Sequence, residues 1–140
     1  MALELETSIT IAAPIDKVWT ALTHPELVKQ YFFGTQLVTD WKVGSPIFFR
    51  GEWEGKPYED KGTVLEFSPN HRLRYNYWSS WSGQPDVPEN YANISYAVRA
   101  EGDSTVVTVT QDNIENEEKR ADSEKNWQMV LAEMKKMLEQ

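Results

Sequence analysis

Three tyrosines, Tyr75, Tyr77 and Tyr96, offer the most chemistry of any side chains that the pattern turns inward. Tyr75 and Tyr77 share one parity with Leu73, while Arg72, Arg74 and Asn76 take the other. Tyr96 sits between Ile94 and Val98 in a second alternating run. Successive side chains of a strand point to opposite faces, so all three phenols face the interior. A buried phenol seeks a hydrogen-bond partner, and these can offer hydroxyls to a bound molecule. Gln111, inward by parity with Val107 and Val109, adds an amide. Neutral phenols are mediocre acids and bases at pH 7, so the chemistry is recognition, and no catalytic residue is assigned. With Phe49, Trp53, Trp127, Leu131 and Met134 they form the candidate ligand-binding set. Each of these large residues could equally serve as core packing, worth roughly 1.5–3 kcal/mol on full burial.

Other chemistries find no footing. The chain has no cysteine, hence no disulfide, thiolate metal site or thiol nucleophile. His24 and His71 are its only histidines and are far apart, with no HExxH pattern or metal-ligand spacing. No GxGxxG or P-loop is present. Glu115, Glu117, Glu118, Asp122 and Glu124 cluster at the start of a helical stretch, where acids suit the helix dipole. No metal or cofactor is expected. Trp78 and Trp81, beside the irregular stretch 79–90, read as a lid or, in preference, as a plug for the end of the core.

Twenty-two acidic residues against fourteen basic ones give a formal charge of −8. That opposes nucleic acid and anionic lipid, which need clustered cations, and Arg72 with Arg74 is a poor footprint. Neither a secretory signal nor a run approaching the ~20 apolar residues of a membrane span is apparent. The expectation is a cytoplasmic protein of one domain, residues 1–140, acting as a monomer or weak homodimer.

Positioning such a set requires a sheet and something to cover it. Leu3, Leu5, Thr7, Ile9 and Ile11 alternate with polar residues, a first strand. Pro14 then opens a helix with Ile15, Val18, Trp19 and Leu22 on one face, and Thr23 with Glu26 reads as a capping box for a second. Period-two stretches follow at 35–40, 47–53, 58–67, 73–77, 91–100 and 105–112, separated by turn residues. Finally Trp127, Val130, Leu131, Met134 and Leu138 recur at helical spacing within 117–140. A helix of about 20 residues is about 30 Å long, enough to cover one face of an antiparallel sheet. Where a twisted sheet and a straight helix diverge, an apolar pocket forms if side chains do not fill it.

Ile11-Ala12-Ala13-Pro14-Ile15-Asp16-Lys17-Val18-Trp19 resembles the opening signature of the START-like (SRPBCC) helix-grip superfamily. The branch it matches best is the AHSA-like one, named after the activator of a heat-shock chaperone ATPase. Gly62-Thr63-Val64-Leu65-Glu66-Phe67-Ser68-Pro69 is similar to that branch's central hairpin, and Ser104-Thr105-Val106-Val107-Thr108 to its last strand. Asn126-Trp127 stands where the helix usually has Gly-Trp. The resemblance implies an α+β helix-grip (START-like, Bet v-like) fold. In it, a curved antiparallel sheet of about seven strands wraps round a long C-terminal helix, with two short helices after strand 1. It also implies an apolar cavity between sheet and helix. Eukaryotic chaperone activators carry a further N-terminal docking domain, whereas the sequence opens at strand 1. The expected function is thus non-enzymatic binding of a small apolar or aromatic molecule. The alternatives are a protein partner, in a co-chaperone-like role, or a cyclase- or hydrolase-type enzyme.

Overall fold

The period-two stretches become the strands of one antiparallel sheet. The computed structural model describes residues 3–32, 34–79 and 83–139, without the side chain of Trp53. Strand β1 (Leu3–Ile11) leads into α1 (Ile15–Thr23) and α2 (Pro25–Tyr31). Six strands follow: β2 (Gln36–Val38), β3 (Pro46–Trp53), β4 (Lys56–Ser68), β5 (Arg72–Tyr77), β6 (Ala92–Glu101) and β7 (Ser104–Ile114). A 3₁₀ turn at Pro88–Asn90 interrupts the long β5–β6 connection, and α3 (Glu117–Leu138) ends the chain. The sheet order is β1-β7-β6-β5-β4-β3-β2. It curves round α3 in the helix-grip arrangement, and the two short helices pack at one end.

Inward residues from neighbouring strands meet in register. Phe49 lies opposite Asp60, Val64 opposite Tyr75, Tyr75 opposite Ile94, and Tyr96 opposite Val109. Against them α3 buries Trp127, Val130, Leu131 and Met134, the residues at 3.6-residue spacing. The short helices are tied down by side chains that reach backbone carbonyls. Tyr31 Oη donates to Ala21 O (2.8 Å), Trp41 Nε1 to Thr23 O (2.9 Å), and the fully buried Thr105 Oγ1 to Ala13 O (2.9 Å).

The expected capping box does not form. Thr23 is the last residue of α1, and its hydroxyl donates back to Trp19 O (2.9 Å). His24 takes the N-cap position of α2 without a side-chain cap bond, and Pro25 is the first helical residue. The physical reason is Pro25, which disfavours helical backbone at the residue before it. His24 is therefore the break between helices, and Thr23 still belongs to the first one. Pro14 likewise stands one position before α1, at its N-cap.

The free edge of β1 is covered by α3. Arg120 Nη1 donates to Glu4 O (3.3 Å) and Lys135 Nζ to Thr10 O (2.9 Å), while the Ala12 N–H donates to Glu139 Oε2 (2.7 Å). Capping an edge with charged side chains blunts pairing with another chain. The Lys135 ammonium first, and the Ala12 N–H second, hold the Glu139 carboxyl below the ordinary glutamate range. A carboxylate whose pKa is depressed by folding adds stability above its unfolded pKa and loses it as pH falls through the folded one. Glu139→Gln should therefore lower the urea midpoint at pH 7. Paired urea titrations should show the difference from wild type vanishing well below the usual glutamate pKa.

Gly62 is required for a different reason. A Cβ there would lie 1.7 Å from the Asn76 carbonyl oxygen, where β4 passes β5 just before the irregular register at Val64–Glu66. The Asn76 side chain also accepts from the Thr63 N–H (2.6 Å), locking that approach. Gly62→Ala must push the strands apart, and a loss of about 1–3 kcal/mol or more is expected in chemical denaturation.

Candidate functional site

The apolar stripe of α3 begins only at Trp127. One turn earlier stands Ser123, and Arg120 and Glu124 flank it, all three half-buried. The first half of α3 therefore sends no large apolar side chain toward the sheet. Beneath it lies a pocket of about 220 Å³. Phe49, Tyr75 and Tyr77 come to it from β3 and β5, and Ile94 and Gln111 from β6 and β7. Ser123, Asn126, Trp127 and Val130 come from α3, and Phe32, just after α2, completes the wall.

Five aromatic rings form a closed circuit at this site. The centroids of Phe32 and Phe49 are 6.2 Å apart, those of Phe49 and Tyr75 5.4 Å, and those of Tyr75 and Tyr96 5.9 Å. Tyr96 meets Trp127 edge-on at 5.7 Å, and Trp127 returns to Phe32 at 6.0 Å. Tyr77 adds an edge contact to Phe49 at 5.6 Å. Phe32 and Phe49 are stacked and the other pairs tilted or edge-on, arrangements that add to the energy of burial.

The polar atoms are joined in pairs. Tyr75 and Tyr96 hydroxyls bond each other at 2.9 Å. Trp127 Nε1 donates to Gln111 Oε1 at 2.8 Å, a direct tie between helix and sheet. Tyr77 donates to the carboxylate of Asp60, which is buried on β4, and its own oxygen is bonded by the Ser79 hydroxyl. Burial pushes the Tyr75 and Tyr96 phenols well above the normal tyrosine pKa. Burial, and then the Asp60 charge, do the same for Tyr77. All three are neutral hydroxyls at physiological pH, suited to hydrogen bonding rather than to proton transfer.

Five of the nine residues singled out from the sequence, Phe49, Tyr75, Tyr77, Gln111 and Trp127, line this pocket together. Tyr96 stands behind it, joined through Tyr75 and Trp127. Leu131 and Met134 are buried further along α3, in the core beyond the pocket wall. The side chain of Trp53 lies outside the described residues, as does Trp81. Trp78 does not plug the core. It is half-buried with Lys61 Nζ 5.9 Å over its ring, because its backbone pairs with Lys61 at the end of β5 and turns the indole to the surface.

Sequence reasoning missed Phe32, Ser123 and Asn126 as walls, and Asp60 as the partner of Tyr77. Asp60 could have been found. It shares the inward parity of Tyr58, Gly62 and Val64 on β4, an unusual place for an acid. Ser123 could also have been found, as the small residue one turn before the stripe.

A groove of about 350 Å³ adjoins the pocket and shares Tyr77, Gln111 and Ser123 with it. Its other walls are mixed, with Trp78, Ala92 and Ile114 beside polar residues such as Asn90, Asn113 and Lys119. Two larger grooves lie on the outer face of the sheet and are more open to solvent. Several of their polar groups already pair with one another: Ser95 with Thr110, Asn93 with Asp112, and Lys61 with Asp86. The inner pocket is the smaller space, but it alone has the aromatic circuit.

Comparison with known proteins agrees with this architecture. A solution structure of ChR145 from Cytophaga hutchinsonii is 47% identical, with a TM-score of 0.85 over 98% of this chain and 94% of that one. CalU16 from Micromonospora echinospora shares the fold at 21% identity and a TM-score of 0.75, over 95% of this chain and 74% of that one. The Aha1 dimer from Colwellia psychrerythraea does so at 21% identity and 0.77, over 98% and 96%. No curated protein matches the sequence closely. Residues 12–139 match the family described as "Activator of Hsp90 ATPase homolog 1-like protein", and with nearly its whole length inside that match the chain belongs to this AHSA-like branch of the START-like superfamily.

Proposed function

We propose that this protein binds a small aromatic molecule in the pocket between the sheet and the first half of α3, without chemically changing it. The observation that carries the reading is a closed circuit of five aromatic rings beside a space that side chains leave unfilled. Ring faces and edges welcome another flat ring. An engineered cavity of about 150 Å³ holds benzene, so 220 Å³ suits a ligand of one or two rings and is too small for a long-chain lipid. The neutral phenols fit recognition better than catalysis, and the adjoining groove is the route by which a ligand would enter.

Ser123→Leu is the decisive substitution. It extends the apolar stripe of α3 by one turn and takes up part of the pocket. Wild-type protein should bind members of a panel of one- and two-ring aromatic compounds, read by quenching of tryptophan fluorescence. The variant should lose that binding at least tenfold while keeping or gaining thermal stability. A panel that leaves wild-type fluorescence unchanged at millimolar concentration would remove the reading.

A second reading, favoured by the family membership, is a protein partner, with the Hsp90 ATPase as the first candidate. It ranks lower because the exposed large apolar residues among those described, Val43, Leu65 and Met129, are few. Val43 and Leu65 flank the Gly44–Val64 backbone bond, and Met129 lies on α3. Among the described residues these make no broad apolar patch of the kind that marks a protein interface. Under this reading, adding the protein to a purified Hsp90 should accelerate ATP turnover in a concentration-dependent way, and an unchanged rate would exclude it. The Colwellia protein was solved as a dimer, and a weak homodimer of this chain would show as a concentration-dependent mass in light scattering.

A further inference from the structure

We propose that the pocket selects aromatic ligands that carry a hydrogen-bond acceptor, a ring nitrogen or a carbonyl oxygen, and receives that acceptor on the Gln111 amide N–H groups. The inference rests on the ligand-pocket reading and adds to it the chemical class of the ligand.

It follows from which polar atoms near the pocket are already engaged. An indole nitrogen can only donate. The 2.8 Å bond from Trp127 Nε1 therefore requires the Gln111 amide oxygen, and it settles which end of that amide is which. The amide nitrogen is left with two N–H donors and, among the described residues, no acceptor for them. Gln111 stands where the pocket meets the groove, in the wall of both. The Tyr75–Tyr96 pair tends the same way. Two hydroxyls joined by one hydrogen bond keep a second proton, and no other residue among those described accepts it.

The nearby acceptors, in contrast, each already take part in a hydrogen bond within the wall. The Gln111 oxygen holds Trp127, and the Tyr77 oxygen holds Ser79 while its proton goes to Asp60. Ser123 and Asn126 at the rim can turn to donate or to accept and bias neither choice. The inner wall thus presents, at Gln111, two donors with no acceptor among the described residues. A ligand whose only polar group is an N–H could be received by Ser123 or Asn126 at the rim, but it would leave the Gln111 N–H groups without an acceptor, and an unpaired polar group in an apolar site is costly.

The test uses two bicyclic rings of similar size, quinoline, which only accepts, and indole, which only donates. Each is titrated at pH 8 into uniformly ¹⁵N-labelled full-length protein and followed by two-dimensional NMR. Quinoline should bind tighter by about fivefold or more, the ratio expected of one satisfied hydrogen bond. It should also move the Gln111 side-chain amide resonances. Gln111→Glu keeps an oxygen for Trp127 but replaces the donors with an acceptor, so the preference should invert toward indole. A residue with a merely packing role would weaken both ligands together and would not reverse their order. Affinities within twofold of each other in wild type, or a Gln111 amide that stays still while other pocket resonances shift, would overturn the inference and leave the pocket reading standing. If neither ring moves any pocket resonance at millimolar concentration, the pocket reading falls and this inference with it. The wild-type ratio decides the matter even if Gln111→Glu fails to fold.

Discussion

An apolar stripe that covers only the second half of α3 is the constraint from which the rest of the structure follows. Trp127, Val130, Leu131 and Met134 must leave water, and the inward faces of the strands are the surface that receives them. Full burial of each such side chain stabilises by roughly 1.5–3 kcal/mol, which fixes the helix against the sheet from Trp127 onward. The residues before Trp127 belong to the same rigid rod. They are carried over the sheet whether or not they have anything to pack there, and Ser123 and Asn126 do not fill the space beneath them. The pocket is thus a consequence of a helix longer than its own apolar face.

Trp127 marks the boundary between the filled half and the open half, and it serves both. Its ring closes the aromatic circuit through Tyr96 and Phe32. Its N–H ties the helix to β7 through Gln111. One tryptophan therefore ties α3 to β7 and sets the orientation of the amide that lines the pocket. Asp60 has a comparable effect on the opposite side, where it orients the Tyr77 hydroxyl. Burial raises the phenol pKa values, so the site has polar atoms but little charge. Such a site distinguishes ligands by hydrogen-bond pattern and shape more than by charge.

The β1 edge shows how the same helix also limits unwanted association. Lys135, Glu139 and Arg120 engage backbone groups at both ends of that strand. The helix therefore covers the sheet's face with its apolar stripe and its edge with its charges. A fold alone does not specify function, so what this chain can recognise depends on the residues that line its pocket rather than on the frame.

Local pattern was enough to determine the elements. Alternation in 73–77, 91–100 and 105–112 and the 3.6-residue spacing from Trp127 are properties of neighbouring residues, and each survives into the fold because one face of each element is buried. Tyr75, Tyr77, Gln111 and Trp127 could be named as inward for that reason. The sequence could not say which of them meet. That Gln111 reaches Trp127, that Tyr77 finds Asp60, and that Phe32 closes the ring circuit depend on strand register and helix placement across many tens of residues. The left-handed backbone at Asn113 is one such decision. It accompanies the extra residue in β7, which puts Ile114 opposite Leu3 and buries it in place of Asn113. Parity read from sequence runs only to the first bulge, whereas the pocket lies where several strands and a helix converge. Its existence was therefore settled in three dimensions, by a serine lying where a larger side chain would have filled it.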